Sequence, residues 1–237
     1  MNGDEAAIPD GTQPQGLSII VLTRGPSFAL ARLLRSLGRA EGVEQAELLI
    51  GLNGSGGEAS VVERLVGRYL PQTRTRLVSV PKTSPAHARN LLIEEATEPL
   101  LLFLDDDVEV RGDLLSEAAS TMTDDGLIAA GGPNLTPPRS PKFEQLAGRV
   151  LGSVIGTGPV RHRYRLGERG PGTERSLMLS NLVVRRSALS DERFNPDLFC
   201  AEENDLLARL ARAGAWLSYN PKLSVHHHRR GTLSGHL

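Results

Sequence analysis

The chain has 237 residues, and its 27 Lys plus Arg against 28 Asp plus Glu give a formal net charge of −1. That balance excludes a nucleic-acid binder that works through bulk positive charge. An apolar content of 39% excludes wholesale disorder and is enough for one buried core, while a lone Cys200 excludes an internal disulfide framework.

Residues 1–16 are rich in Gly, Pro, Gln and Asp and lack periodicity, which predicts a mobile N-terminal tail too polar to be a signal peptide. Leu17 to Leu22 is a short, almost wholly apolar run, the pattern of a strand buried on both faces. After Gly25-Pro26, Leu30, Leu33, Leu34 and Leu37 fall on one helix face. Leu48 to Leu52 predicts a second strand, with Asn53 to Gly57 as its turn, and Val61, Val62, Leu65 and Leu70 mark a second helix. Leu77 to Val80 reads as a strand, Pro85 to Ala96 as a helix with Pro near its start, and Leu100 to Leu104 as a fourth strand. A helix over Asp113 to Met122 and a strand over Leu127 to Ala130 follow. The alternation predicts an α/β fold: an open, mostly parallel sheet with helices on both faces.

Beyond Gly131-Gly132-Pro133 the pattern becomes irregular. Residues 137–186 hold ten Lys or Arg against three Glu and no Asp. Strand-like segments at Leu177 to Arg185 and Trp216 to Tyr219 flank a helix from Asp205 to Ala213. No linker or repeat divides the chain, so residues 17–230 read as one domain with an irregular second half, followed by a short C-terminal tail at 231–237. The longest apolar run, Pro99 to Leu104, is far short of the roughly 20 residues of a membrane span. With one cysteine, the expected compartment is reducing and cytoplasmic, and Cys200 reads as a small packing residue.

In an open parallel sheet, ligands bind beyond the carboxyl ends of the strands. Thr23-Arg24, Asn53 and Asp105-Asp106-Asp107 all follow strands and converge on that edge. Three adjacent carboxylates repel one another unless a cation sits among them, and hard oxygen ligands suit Mg²⁺ or Mn²⁺. The bland alternative is a solvated acidic turn. A second acidic cluster, Glu202-Glu203-Asn204-Asp205, reads either as charge complementing a helix N-terminus or as a general base for a hydroxyl nucleophile. The run His226-His227-His228 follows strand-like residues, and one of its members is a candidate ligand for metal or phosphate.

Five segments in order carry a resemblance: Ser18 to Arg24, Ala86-His87-Ala88-Arg89-Asn90, Phe103-Leu104-Asp105-Asp106-Asp107, Arg193 through Leu206, and Val225-His226-His227. Together they resemble family 2 glycosyltransferases of the GT-A fold, over about Leu17 to His228. The resemblance implies an inverting transferase that moves a sugar from a nucleotide-diphosphate donor to a hydroxyl of a carbohydrate or lipid-linked glycan, in polysaccharide or glycolipid synthesis. It makes Asp107 a ligand of Mn²⁺ or Mg²⁺, places Asp105 and Asp106 on the metal's waters or the donor ribose, and puts Thr23 and Arg89 on the nucleotide. Arg24 and Asn53 join this donor-side group by their position at strand ends. Glu203 falls at the family's base position, with Glu202 as a competing assignment, and His227 at its closing histidine. Three positions depart from the family pattern. Leu52 stands where the family often has a base-binding Asp, Glu203 where it has Asp, and His226 where it has Tyr.

Two other functions fit parts of the pattern. A sugar-phosphate nucleotidyltransferase also pairs an α/β sheet with Asp and Mg²⁺, but its Gly-rich first loop is reduced here to Thr23-Arg24-Gly25-Pro26. A catalytically degenerate binding subunit accommodates Leu52 and Glu203. Finally, Phe143, Leu146, Ala147, Val150, Leu151, Val154 and Ile155 follow a helical period beside Arg139, Lys142, Arg149, Arg161, Arg163 and Arg165. This segment reads either as a helix packed on the sheet or as an interfacial helix that docks residues 139–165 on anionic lipid or a lipid-diphosphate acceptor, at the inner face of the membrane.

Overall fold

The computed structural model describes residues 16–54 and 58–228. The expected N-terminal tail except Gly16, the expected C-terminal tail, Arg229-Arg230 and the last three residues of the Asn53–Gly57 turn lie outside the described residues. The first half alternates as expected: β1 (Leu17–Thr23), α1 (Phe28–Leu37), β2 (Glu47–Asn53), α2 (Ala59–Tyr69), β3 (Arg74–Val80), α3 (Pro85–Glu95) and β4 (Leu100–Asp105). Then come β5 (Val108–Glu109), α4 (Leu114–Thr121), β6 (Leu127–Gly131), β7 (Asn134–Leu135), α5 (Lys142–Leu151) and α6 (Val154–Thr157). The chain closes with β8 (Gly170–Pro171), β9 (Asn181–Arg185), α7 (Glu202–Arg212), β10 (Trp216–Tyr219) and β11 (Val225–His227).

Local chemistry sets the helix starts. Ser27 caps α1 by accepting a hydrogen bond from the Leu30 N–H at 3.0 Å. Ser84 does the same for α3 from His87, with Pro85 in the first turn, where its missing N–H costs nothing.

Eight strands form one sheet in the order β3-β2-β1-β4-β9-β6-β10-β8, and β5-β11-β7 form a second, smaller one. The run β3-β2-β1-β4 is parallel, as is β10 with β6. The short β9 enters antiparallel to both β4 and β6, and β8 pairs antiparallel with β10. The reason is connectivity. The chain reaches β9 from a long irregular excursion and not through a crossover helix, so nothing imposes parallel pairing on it.

Side chains alternate across the sheet, so each central strand feeds two cores. Ile19, Val21, Leu100, Leu102 and Leu104 face one layer with the α1 leucines, Val62 of α2 and Leu114 of α4. Ile20, Leu101 and Phe103 face the other, with Leu92 of α3 and Leu206, Leu207 and Leu210 of α7. Full burial of a leucine contributes about 2 kcal/mol, so this double-sided packing fixes the strand ends that carry the polar groups.

Several boundaries differ from expectation. β3 begins at Arg74, residues 177–180 precede β9 outside any strand, α7 begins at Glu202, and the expected single helix over 143–155 breaks at Gly152-Ser153 into α5 and α6. Cys200 is exposed. It stands in the irregular segment just before α7, where no core layer reaches it, and so is not a packing residue.

Candidate functional site

The polar groups expected at the strand ends come together. Thr23, buried at the end of β1, accepts from the Gly25 N–H at 3.3 Å and donates to Asp106 Oδ2 at 2.5 Å. Asp106 is thereby tied to β1. Burial raises its carboxyl above the ordinary range, the Thr23 hydrogen bond pulls it back, and the neighbouring Asp107 charge adds to the rise. Arg24 is exposed beside it, close enough for its charge to act on Asp106. Asn53 spends both halves of its amide on the loop before α3, donating to the Thr83 carbonyl at 3.0 Å and accepting its N–H at 3.1 Å. It braces that loop. Leu52, in the base-binding position of the resemblance, is buried in the core and offers nothing to a nucleotide.

Asp105 and Asp107 meet a histidine from the far end of the chain. Pairing of β11 with β5 sets His227 opposite Val108 and His226 opposite Glu109. This brings His227 Nε2 to 3.2 Å from Asp107 Oδ1, while His228 Nε2 lies 3.2 Å from Glu109. Asp105, Asp107 and His227 each place one ligand atom within 4.8 Å of the others. Burial pushes Asp105 up, Arg89 draws it down, and Asp107 pushes it up again. Burial also works on Asp107, but contact with His227 outweighs it and holds Asp107 below the usual carboxylate range.

These residues fit a divalent cation. Asp107 Oδ1 is buried and faces His227 Nε2 at 3.2 Å without hydrogen-bond alignment, an arrangement that a cation held between the two would satisfy. Two carboxylates with one imidazole suit Mn²⁺ or Mg²⁺, the imidazole favouring Mn²⁺.

The second acidic cluster faces the first across Arg89. Arg89 pairs with Glu202 through Nη1 and lies 3.6 Å from Asp105 through Nη2, with only 12% of its side chain exposed. The resemblance put Arg89 on the nucleotide. Here it joins Asp105 to Glu202, the latter 113 residues from Arg89 in sequence. Its neighbour Asn90 clips the same segment by donating to the Phe194 carbonyl at 2.8 Å and accepting the Phe194 N–H at 3.0 Å. Phe194 in turn packs edge-on against Phe103, with ring centroids 5.6 Å apart.

Glu202 and Glu203 have different surroundings. Glu202 is buried in its pair with Arg89. Glu203 is partly open and has Arg163 at 3.7 Å. Burial raises the Glu203 carboxyl, Glu202 and Asp105 push it the same way, and Arg163 pulls it back. Arg163 entered the sequence reading only as one charge of a basic stretch. Its place beside Glu203 has no signal in local spacing. Both glutamates open α7 directly after Ala201, whose φ of 58° is left-handed. A non-glycine residue held there stores strain of about 1–3 kcal/mol, a feature that clusters at functional sites.

Comparisons with known proteins bear on the family and the fold. The profile of Glycosyl transferase family 2 matches residues 18–192. The chain is 28% identical over 205 residues to the succinoglycan biosynthesis protein ExoM of Rhizobium meliloti (strain 1021), covering 83% of this chain and 62% of that protein. Among solved structures it is similar to the mannosyltransferase PcManGT from Pyrobaculum calidifontis in complex with GDP-Man and Mn²⁺. That match has 18% identity and a TM-score of 0.70, over 95% of this chain and 61% of the other. It is also similar to S. aureus TarS 1-349 in complex with UDP-GlcNAc, at 17% identity and a TM-score of 0.67, over 93% of this chain and 60% of the other. The chain thus spans less than two thirds of each of these relatives, and the structural likenesses establish the fold alone. The family profile, the ordered motifs and the clustered strand-end carboxylates lead to one assignment: the chain belongs to glycosyltransferase family 2.

Proposed function

We propose that this chain is an inverting, metal-dependent glycosyltransferase that moves a sugar from a nucleoside diphosphate to a hydroxyl acceptor. The observation that carries the reading is the joining of two acidic groups through one buried arginine: Arg89 pairs with Glu202, next to Glu203, and lies 3.6 Å from Asp105 of the Asp105, Asp107 and His227 group. Asp105, Asp107 and His227 would hold Mn²⁺ or Mg²⁺, which supplies Lewis-acid stabilisation of negative charge on a departing diphosphate.

The chain's own residues divide the remaining work. Thr23 fixes Asp106 at the donor edge, and exposed Arg24 adds positive charge there. Glu203 takes the proton from the acceptor hydroxyl as that oxygen attacks the anomeric carbon from the face opposite the diphosphate. Its raised pKa matches the role, because a stronger base accepts the proton more readily. Glu202 is a positioning residue, its charge committed to Arg89. No covalent sugar–enzyme intermediate is required, since a single displacement inverts the centre.

The ligands in the neighbouring structures, GDP-Man and UDP-GlcNAc, support a nucleotide-sugar donor, and the part of the Rhizobium relative in succinoglycan biosynthesis supports a polysaccharide precursor as product. A panel of GDP- and UDP-sugars with and without Mn²⁺, read by thermal shift, tests the assignment. A ligand at a hundred times its Kd should add about 2.7 kcal/mol to folded-state stability. The expected result is stabilisation by one nucleotide family that needs Mn²⁺, together with slow donor hydrolysis. Stabilisation without any turnover would assign a binding subunit instead, and no stabilisation by any donor would overturn the reading.

A further inference from the structure

Helix α5 is built inside out. Its buried positions are Glu144 and Gly148, while Phe143, Leu146 and Val150, at i, i+3 and i+7 of one side, are exposed. Gly148 explains the close seat of the polar side. A Cβ there would lie 2.0 Å from Thr136 Oγ1, so only glycine lets the helix approach this closely. The apolar side continues past the Gly152-Ser153 break into α6, where Val154 is exposed and Ile155 is 99% exposed, and Leu166 is exposed nearby in the chain. The helix therefore does not pack its leucines on the sheet, as one reading of the sequence had it. Exposed apolar clusters of this kind mark contact with another apolar phase.

The charges around this surface indicate which phase. Arg139, Lys142, Arg149, Arg165 and Arg169 are all exposed, and Glu168 is the exposed acid among them in residues 139–169. A second copy meeting this face by two-fold symmetry would set these cations against their own duplicates. An anionic bilayer complements them and accepts the apolar side chains at the same time. No helix among the described residues is long and apolar enough to cross a membrane, so the contact is peripheral.

We infer that α5 and α6, with the arginines beside them, form a docking surface for an anionic lipid bilayer. A groove of about 530 Å³, lined by Gln145, Arg149, Tyr164, Arg165 and His226 among others, runs beneath this surface toward the strand that carries His227. Docking here holds that groove at the lipid surface. The inference stands on exposure and charge, and is independent of the donor chemistry proposed above.

Flotation of the full chain with vesicles tests it. The protein should float with phosphatidylcholine vesicles containing phosphatidylglycerol, should not float with phosphatidylcholine alone, and should be released by high salt. Arg149→Glu should weaken the partition at least fivefold, since each basic charge near an anionic surface carries about that factor. The double variant Leu146→Glu, Ile155→Glu should weaken it tenfold or more. An unchanged thermal midpoint in both variants shows that the fold is intact. Absence of flotation with either vesicle, or equal flotation with both, overturns the inference. So does a dimer in light scattering that Leu146→Glu converts to monomer, because the face would then belong to a second copy.

Discussion

Helices α1 and α5 are both ten residues long and both strongly amphipathic, yet they use their apolar faces in opposite ways. In α1, Leu30, Leu33, Leu34 and Leu37 are all fully buried against the sheet. In α5 the apolar side looks outward and Glu144 and Gly148 look inward. Periodicity identifies a helix and its two faces. It does not say which face meets the protein. The first half, β1 to β4 with α1 to α3, folds around its own local pattern. The segment from α5 to β8 is shaped by what it must present outside.

The largest test of this division lies at the end of β4. Asp107→Ala should lower sugar transfer about a thousandfold, since metal-assisted charge stabilisation supplies several kcal/mol. Kinetics with the donor found by thermal shift would measure it, and a rate within tenfold of the parent would remove the diphosphate from this strand end. Next is Glu203→Gln, expected to reduce kcat about a hundredfold with donor affinity retained, as for loss of a general base. The pH sign follows from the same residue. Glu203 must be ionised to accept a proton, and its pKa is raised by burial. The acid limb of the pH–rate profile should therefore lie above the pH expected of an ordinary glutamate, and Glu203→Gln should abolish that limb.

Glu202→Ala asks a structural question of the neighbouring position. It leaves Arg89 buried with only the more distant Asp105 for a partner, and should cost about 3 kcal/mol in urea unfolding. The two halves can then be compared directly. Leu102→Ala, in the fully buried centre of β4, should cost about 3 kcal/mol. Leu146→Ala, 59% exposed on α5, should change stability by less than about 0.5 kcal/mol. Equal losses would mean that α5 is packed after all.

The smallest expected effect is on acid stability. Glu47 is buried at the start of β2, where burial pushes its carboxyl up. Hydrogen bonds from Ser18 and Thr97 and the charge of Arg76 outweigh this and hold it below its ordinary value. A depressed carboxylate stabilises the fold above its unfolded pKa, and that contribution is lost as pH falls toward the folded one. Glu47→Gln should flatten the acid side of a stability–pH curve.

Much of the polar strand-end edge was legible from local spacing. Apolar runs too short for helices ended in Thr23, Asn53 and Asp105, and a parallel sheet gathers such ends on one side. The roles within the edge were less legible. Asn53 hydrogen-bonds the Thr83 backbone, and Arg89 links Glu202 to Asp105. Both outcomes depend on partners 30 or more residues away, Thr83 for the one and Glu202 for the other. The difference between Glu202 and Glu203 rests on the same contact, because Arg89 pairs closely with the first and Arg163 only at 3.7 Å with the second.

The sequence by itself determined the alternation of strands and helices, the double-sided burial of β1, β2 and β4, and the identity of the acidic strand ends. These follow from hydrophobic period and from short-range caps, which act within a few residues. Only the tertiary structure decided that β9 runs antiparallel between β4 and β6, that His227 meets Asp107, that Arg89 joins Glu202 to Asp105, and that α5 turns its apolar side away from the sheet. Each of these depends on which distant segment fills the space alongside, and a local pattern carries no information about that.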